Sequence, residues 1–185
     1  MYILSYQIII SISWKIIIMY MNLRNLTLYL ESTIPSYLTA RPSRDLIVAA
    51  HQQITYEWWQ QVRPNFDIYI SEAVLDEISA GDSDAASRRL AIVKDIPILA
   101  LSEEVESLAI EYQKELGLPY SAQLDVVHLA CAVVYELDYL LTWNCKHIAN
   151  GVIIQRLNNV NTTLGRKTPV IITPEEILEM PEGGK

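Results

Sequence analysis

The stretch that decides how this chain folds is DVVHLACAVVYELDYLLTWNCKHIAN, residues 125–150. Its first half is almost wholly apolar, yet it opens on Asp125 and carries His128 one turn later. With Ser121 placed to cap it, this segment reads as a helix over 122–137 that is apolar on every side and therefore buried. YLLTW then reads as a short buried strand. It stops in the polar group Asn144-Cys145-Lys146-His147. A carboxylate at the start of a buried helix is costly unless something pairs with it. The partners of Asp125 must lie elsewhere in the chain.

Upstream, LTLYL (26–30) reads as a strand with Glu31 directly after it, and STIPSYL as a short turn or helix. Ser43 can cap a helix over about 44–62 that carries Trp58, Trp59 and Val62 late in its length. DIYIS (67–71) reads as a second strand, and Ser71 can cap the helix EAVLDEIS. Another helix covers 84–94 after the Gly81 break, followed by a third strand in IPILAL. From Ser102 an amphipathic helix puts Val105, Leu108, Ala109, Tyr112 and Leu116 on one face, and Gly117 and Pro119 end it. After YLLTW come a helix near 151–160, a strand in PVIIT, and a last helix. That helix opens on a capping box, with Thr173 as cap, Pro174 at the first helical position and Glu176 three after the cap. Strands alternate with helices throughout. This is the pattern of an α/β layer fold around a mainly parallel five-stranded sheet.

A chain of 185 residues that is 51% hydrophobic can build one well-packed domain. Its net charge of −8 argues against a broad unspecific grip on nucleic acid, which needs clustered cations, and suits a basic partner. The two cysteines, Cys131 and Cys145, have neither zinc-ribbon spacing nor a disulfide framework, which fits the cytoplasm. Residues 1–20, MYILSYQIIISISWKIIIMY, are a distinct apolar segment with Lys15 as their only charge. A membrane span would bury Lys15 in hydrocarbon. A signal peptide would need a basic start and a small-residue cleavage site. The favoured reading is an N-terminal extension, with Met19 or Met21 as the start of the domain over 21–185. No segment after residue 20 reads as a membrane span.

In open parallel sheets, ligands bind beyond the carboxyl ends of the strands. Glu31 follows the first strand at that end, and Asn144 follows the fourth. Glu77 lies one to two turns into the helix after the second strand, and Asp125 one turn into the helix before the fourth. Four oxygen-bearing side chains from four segments thus gather at one sheet edge. A hard cation such as Mg²⁺ takes such ligands and would offset the charge of Asp125. Blander roles exist for each. Glu31 and Asp125 could serve helix N-termini. Glu77 or its neighbour Asp76 could be merely solvated, and Asn144 could be a turn residue. Trp58 and Trp59 could offer a stacking surface, although one of two adjacent helical tryptophans normally faces the core.

The segments LYLESTIPSYL (28–38), SEAVLDEISAG (71–81), LDVVHLACA (124–132) and YLLTWNCKHI (139–148) together resemble the PIN domain, a nuclease fold that includes the VapC toxins of toxin–antitoxin pairs. The resemblance spans about residues 26–175. It implies a three-layer α/β/α sandwich and a ribonuclease dependent on Mg²⁺ or Mn²⁺. Glu31, Glu77 and Asp125 would hold the metal, with help from Asn144. Ser32, Thr142 and His128 would brace the site, His128 as a core histidine; Lys146 and His147 beside it could touch phosphate or simply be solvated. The family usually has Asp where this chain has Glu31, and many members have Asp where it has Asn144. The implied partners are an RNA substrate and a small antitoxin, with a homodimer as a further expectation. The alternative is a PIN-fold binding or regulatory module with little or no catalysis.

Overall fold

The computed structural model describes residues 26–178, so the apolar segment 1–20 lies outside the described residues. The strands are β1 (Leu26–Leu30), β2 (Phe66–Ser71), β3 (Ile98–Leu99), β4 (Tyr139–Leu141) and β5 (Val170–Ile172). Eight α-helices are described. They are α1 (Thr33–Thr39), α2 (Leu46–Gln61), α3 (Glu72–Ser79), α4 (Ser83–Val93), α5 (Glu103–Glu115), α6 (Gln123–Val134), α7 (Gly151–Thr163) and α8 (Pro174–Leu178).

All five strands are parallel, in the order β3-β2-β1-β4-β5. The chain runs from the central β1 outward through β2 to β3, then returns past β1 to β4 and β5. Parallel crossovers are right-handed, so this reversal sends α1–α4 to one face of the sheet and α5–α7 to the other. Most helix contacts follow the same division, although α3 also meets α6 where Glu77 reaches His128. α1 packs on α2 and α4, and α3 on α4, whereas α5 packs on α6 and α7. The central strand is consequently covered on both sides. Leu28, Tyr29 and Leu30 are each fully buried, which is why β1 reads as a continuous apolar run rather than an alternation. Each such leucine contributes about 1.5–3 kcal/mol of burial.

Two caps differ from the sequence expectation. Helix α2 is capped by Asp45, whose Oδ1 accepts from the backbone N–H of Ile47 (2.9 Å) and Val48 (3.0 Å). Ser43 instead accepts from the Asp45 N–H at 3.1 Å. An aspartate also meets the positive end of the helix dipole with a full charge, which a serine cannot do. Asp45→Ala is expected to lower the melting temperature by about 2–4 °C, the equivalent of about 1 kcal/mol, in a thermal melt.

Helix α6 starts at Gln123 after a 3-10 turn at Tyr120–Ala122, with no side-chain cap from Ser121. It ends at Val134, three residues before the expected end. Glu136 takes a left-handed conformation (φ 51). Its N–H bonds Val133 O (3.1 Å), and the Leu137 N–H bonds Ala132 O (3.0 Å). These are the two bonds of a Schellman motif, which closes a helix. At the far end of the chain, the capping box is present as read. Glu176 Oε2 accepts from the Thr173 N–H at 2.8 Å, and Thr173 Oγ1 accepts from the Glu176 N–H at 3.3 Å.

Candidate functional site

The reversal of chain direction falls between β1 and β4, and a crevice at the carboxyl ends of these two strands is where such sheets hold ligands. Register sets what lies there. Leu30 pairs with Leu141, so the next place along puts Glu31 beside Thr142. Glu31 is buried, and the protein satisfies it closely. Its Oε2 accepts from Thr142 Oγ1 (2.7 Å), from the Thr33 N–H (3.1 Å) and from the Thr33 hydroxyl. Among the described residues its Oε1 accepts only from Ser32 Oγ, at 2.8 Å. Thr142 is thereby fixed as a brace, and its Oγ1 also accepts from the Asn144 N–H at 2.8 Å.

Opposite Glu31 stands a chain of side chains through the core. Tyr29 OH contacts Ser71 Oγ at 2.6 Å and His128 Nδ1 at 2.7 Å, and His128 Nε2 meets Glu77 Oε2 at 2.8 Å. Burial pushes the His128 imidazole down, but the Glu77 bond and the charges of Glu31, Glu77 and Asp125 outweigh it and hold it above its ordinary value. Burial likewise pushes the Glu77 carboxyl up. His128, through its hydrogen bond and its charge, outweighs that and holds it below the usual carboxylate range. The two shifts agree on a charged His128–Glu77 pair.

Ligand atoms of Glu31, Glu77 and His128 lie within 4.8 Å of one another. Both ring nitrogens of His128 are engaged, so the donors free to face a cation in this group are carboxylate oxygens, the set that suits a hard divalent ion. Asp125 stands outside that group. Its Oδ1 accepts from Asn144 Nδ2 at 2.8 Å, and its Oδ2 pairs with His147 Nδ1 at 2.7 Å. Burial pushes the Asp125 carboxyl above its usual range, and the Glu31 charge adds to this while His147 and His128 work against it. Asn144 presents its amide nitrogen to Asp125 because its oxygen is taken by the His147 N–H at 3.0 Å. It is both a turn residue and a brace of Asp125. Lys146 is exposed, and Cys131 and Cys145 are both free. Trp58 is fully buried, and Trp59 carries the Arg63 guanidinium 4.5 Å above its ring.

Two contributors were not singled out in the sequence, Tyr29 and Thr33, and His147, read there as a phosphate contact or a solvated residue, instead pairs with Asp125. A tyrosine in a fully covered strand is a signal, since a buried hydroxyl needs a partner. Thr33 gave no comparable sign.

No family model matches the chain, and no curated protein matches it in sequence. Solved structures do match. VapBC2 from Rickettsia felis, bound to a DNA fragment from their promoter, superposes with a TM-score of 0.53 at 18% identity, covering 80% of this chain and 98% of that one. VapBC-1 from nontypeable Haemophilus influenzae gives 0.51 at 16% identity, covering 81% and 99%. FitAB bound to an IR36 DNA fragment gives 0.50 at 14% identity, covering 80% and 95%. The chain has the PIN-domain fold. At these identities the likeness is one of architecture. In this PIN fold the acidic cluster brings Glu31 at the end of β1 together with Glu77 of α3 and His128 of α6, and no described helix is long and apolar enough to cross a membrane.

Proposed function

We infer that this chain is a metal-dependent ribonuclease acting as the toxin of a toxin–antitoxin pair. The observation that carries the reading is the approach of Glu31, directly after β1, and Glu77, within 4.8 Å together with His128. Their oxygens suit Mg²⁺ or Mn²⁺, and these two residues would hold the ion with Asp125 at its border. Such an ion, when bound, activates water and offsets charge on a phosphodiester. The chain's own residues do the positioning. Ser32, Thr33 and Thr142 fix the Glu31 carboxylate, and His128 fixes Glu77. Asp125, its carboxyl raised by burial, is the group suited to take a proton from the attacking water. An antitoxin partner follows from the VapBC and FitAB likeness, and the −8 charge suits a basic one. The cytoplasm is the compartment this pairing implies.

One test is RNA cleavage in Mn²⁺, Mg²⁺ and EDTA, run beside Asp125→Asn. The wild type is expected to cleave only with metal, and the variant to lose about a hundredfold or more. In EDTA the variant is expected to melt higher than the wild type. A raised carboxyl means that the fold penalises the charged form, so a charge present above its ordinary value of 3.8 costs stability at neutral pH. Cleavage that persists in EDTA, or a variant as active as the wild type, would sink the reading.

The second reading is a PIN-fold binding module with little catalysis. It is favoured by how far the protein's own donors already satisfy Glu31 and Asp125. It expects no melting shift with Mn²⁺.

A further inference from the structure

Arg41, Arg88 and Arg89 line one open cleft of about 360 Å³ with Ser36, Thr39, Ala40, Ala85 and Asp82. None of the three arginines forms an ion pair among the described residues, although the chain carries 22 Asp and Glu. Asp82, the one carboxylate on the cleft, is committed to capping α4, where its Oδ1 accepts from the Ala85 N–H at 2.9 Å. Asp82 offsets at most one of the three positive charges, and the excess repels itself unless a polyanion relieves it.

A plainer role accounts for part of the cluster. Arg89 bonds the carbonyls of Ile78 (2.8 Å) and Ala80 (2.6 Å), and Arg88 bonds Thr39 O at 3.3 Å, so both serve the carboxyl ends of helices α3 and α1. These bonds use one or two of the five N–H groups that each guanidinium offers. Arg41 is exposed, and its guanidinium makes no hydrogen bond to a described residue. Helix capping explains neither its place nor the meeting of three arginines.

Helix α1 links the cleft to the acidic site. Ser32 bonds Glu31 through Oγ at 2.8 Å, and Ser36 Oγ donates to Ser32 O at 2.8 Å. Ser36 and Ala40 follow Ser32 at four-residue steps on one face of α1, so the arginines lie about 12 Å along the helix from the acidic end. That span matches about three nucleotides of a stacked strand. Glu77 is the residue before Ile78, whose carbonyl Arg89 holds. Ser36 and Thr39 donate their hydroxyl protons to backbone carbonyls, so the guanidinium groups are left as the donors to an anion.

We propose that this cleft is a phosphate-binding subsite for a single-stranded RNA, holding the strand about three nucleotides from the acidic site. The proposal rests on the nuclease reading of that site.

The test is binding of a short fluorescent single-stranded RNA to the full chain in EDTA, titrated with salt, with Mn²⁺-dependent cleavage measured in parallel. Arg41→Gln/Arg88→Gln is expected to flatten the plot of log affinity against log salt by about 1.4, from two lost phosphate contacts, and to weaken binding about tenfold. Lys94→Gln/Lys114→Gln removes as much charge away from the cleft and is expected to change neither. Arg88→Lys keeps the charge and is expected to keep the slope. Arg41→Gln alone leaves every described hydrogen bond in place, so its share of the slope is read on an unaltered fold. A wild-type slope in the double variant, with cleavage intact in the wild type, overturns the subsite and leaves the nuclease reading standing. A wild type that neither binds nor cleaves RNA overturns both. A double variant that keeps RNA binding but loses binding to poly-glutamate assigns the cleft to an acidic protein partner and overturns the proposal.

Discussion

Glu77→Gln is expected to lower Mn²⁺-dependent RNA cleavage by about 10²–10³-fold, the usual loss on removing one electrostatic anchor of a reacting phosphate or carbonyl group. It is also expected to abolish most of the metal-induced rise in melting temperature. At a Mn²⁺ concentration of a hundred times its Kd, mass action stabilises a fold by about 2.7 kcal/mol. In a chain of this size that raises the melting temperature by about 5–10 °C. Glu31 and Glu77 are the two carboxylates in the group of ligand atoms within 4.8 Å, so Glu77→Gln removes half of its formal negative charge. Asp125 lies outside that group and is held by Asn144 and His147, so Asp125→Asn is expected to keep a larger share of the shift. The geometry therefore predicts an order among the variants. If Asp125→Asn abolishes the Mn²⁺ shift while Glu77→Gln preserves it, the ligand set is wrong.

The parts of this site that could be read in advance are those set by local pattern. Glu31 follows a strand that must be buried, and Asp125 and His128 sit three apart on a helix that is apolar all round. One sheet edge was the only place where such side chains could meet. The parts that could not be read depend on contacts between distant segments. His147 reaches Asp125 across a 22-residue separation, through a turn whose shape Asn144 sets. The same limit applies to helix ends. Glu136 adopts the left-handed conformation that usually signals itself through glycine or asparagine, so nothing in the sequence marked α6 as ending at Val134. The Tyr29 network is an intermediate case. Tyr29 pairs in register with Tyr69, and Ser71 lies two residues further along on the same face of β2. A correct register would have placed Ser71 near the Tyr29 hydroxyl. The distant His128 would still have needed the packing of α6 on the sheet.

His128→Leu is expected to cost about 3 kcal/mol and to lower the melting temperature by about 6–12 °C, because a partly buried Glu77 loses its charged partner. Tyr29 keeps one hydrogen bond through Ser71, so the larger share of the loss belongs to Glu77. A double-mutant cycle separates the pair from the packing. His128→Leu/Glu77→Gln is expected to lose less than the sum of the single variants by about 1–3 kcal/mol. The coupling should also follow pH in a definite way when measured in EDTA. His128 is held above its ordinary value of 6.5, so its contribution is fully present below that pH and is lost as pH rises through the raised value. Glu77 is held below its ordinary 4.5, so its contribution is present above that pH and is lost as pH falls through the lowered value. The coupling energy should therefore be largest between pH 4.5 and 6.5 and should decline on both sides. Additive losses at pH 6, or a coupling that grows from pH 6 to pH 9, would show that the pair is neutral and that His128 supports Glu77 only by packing.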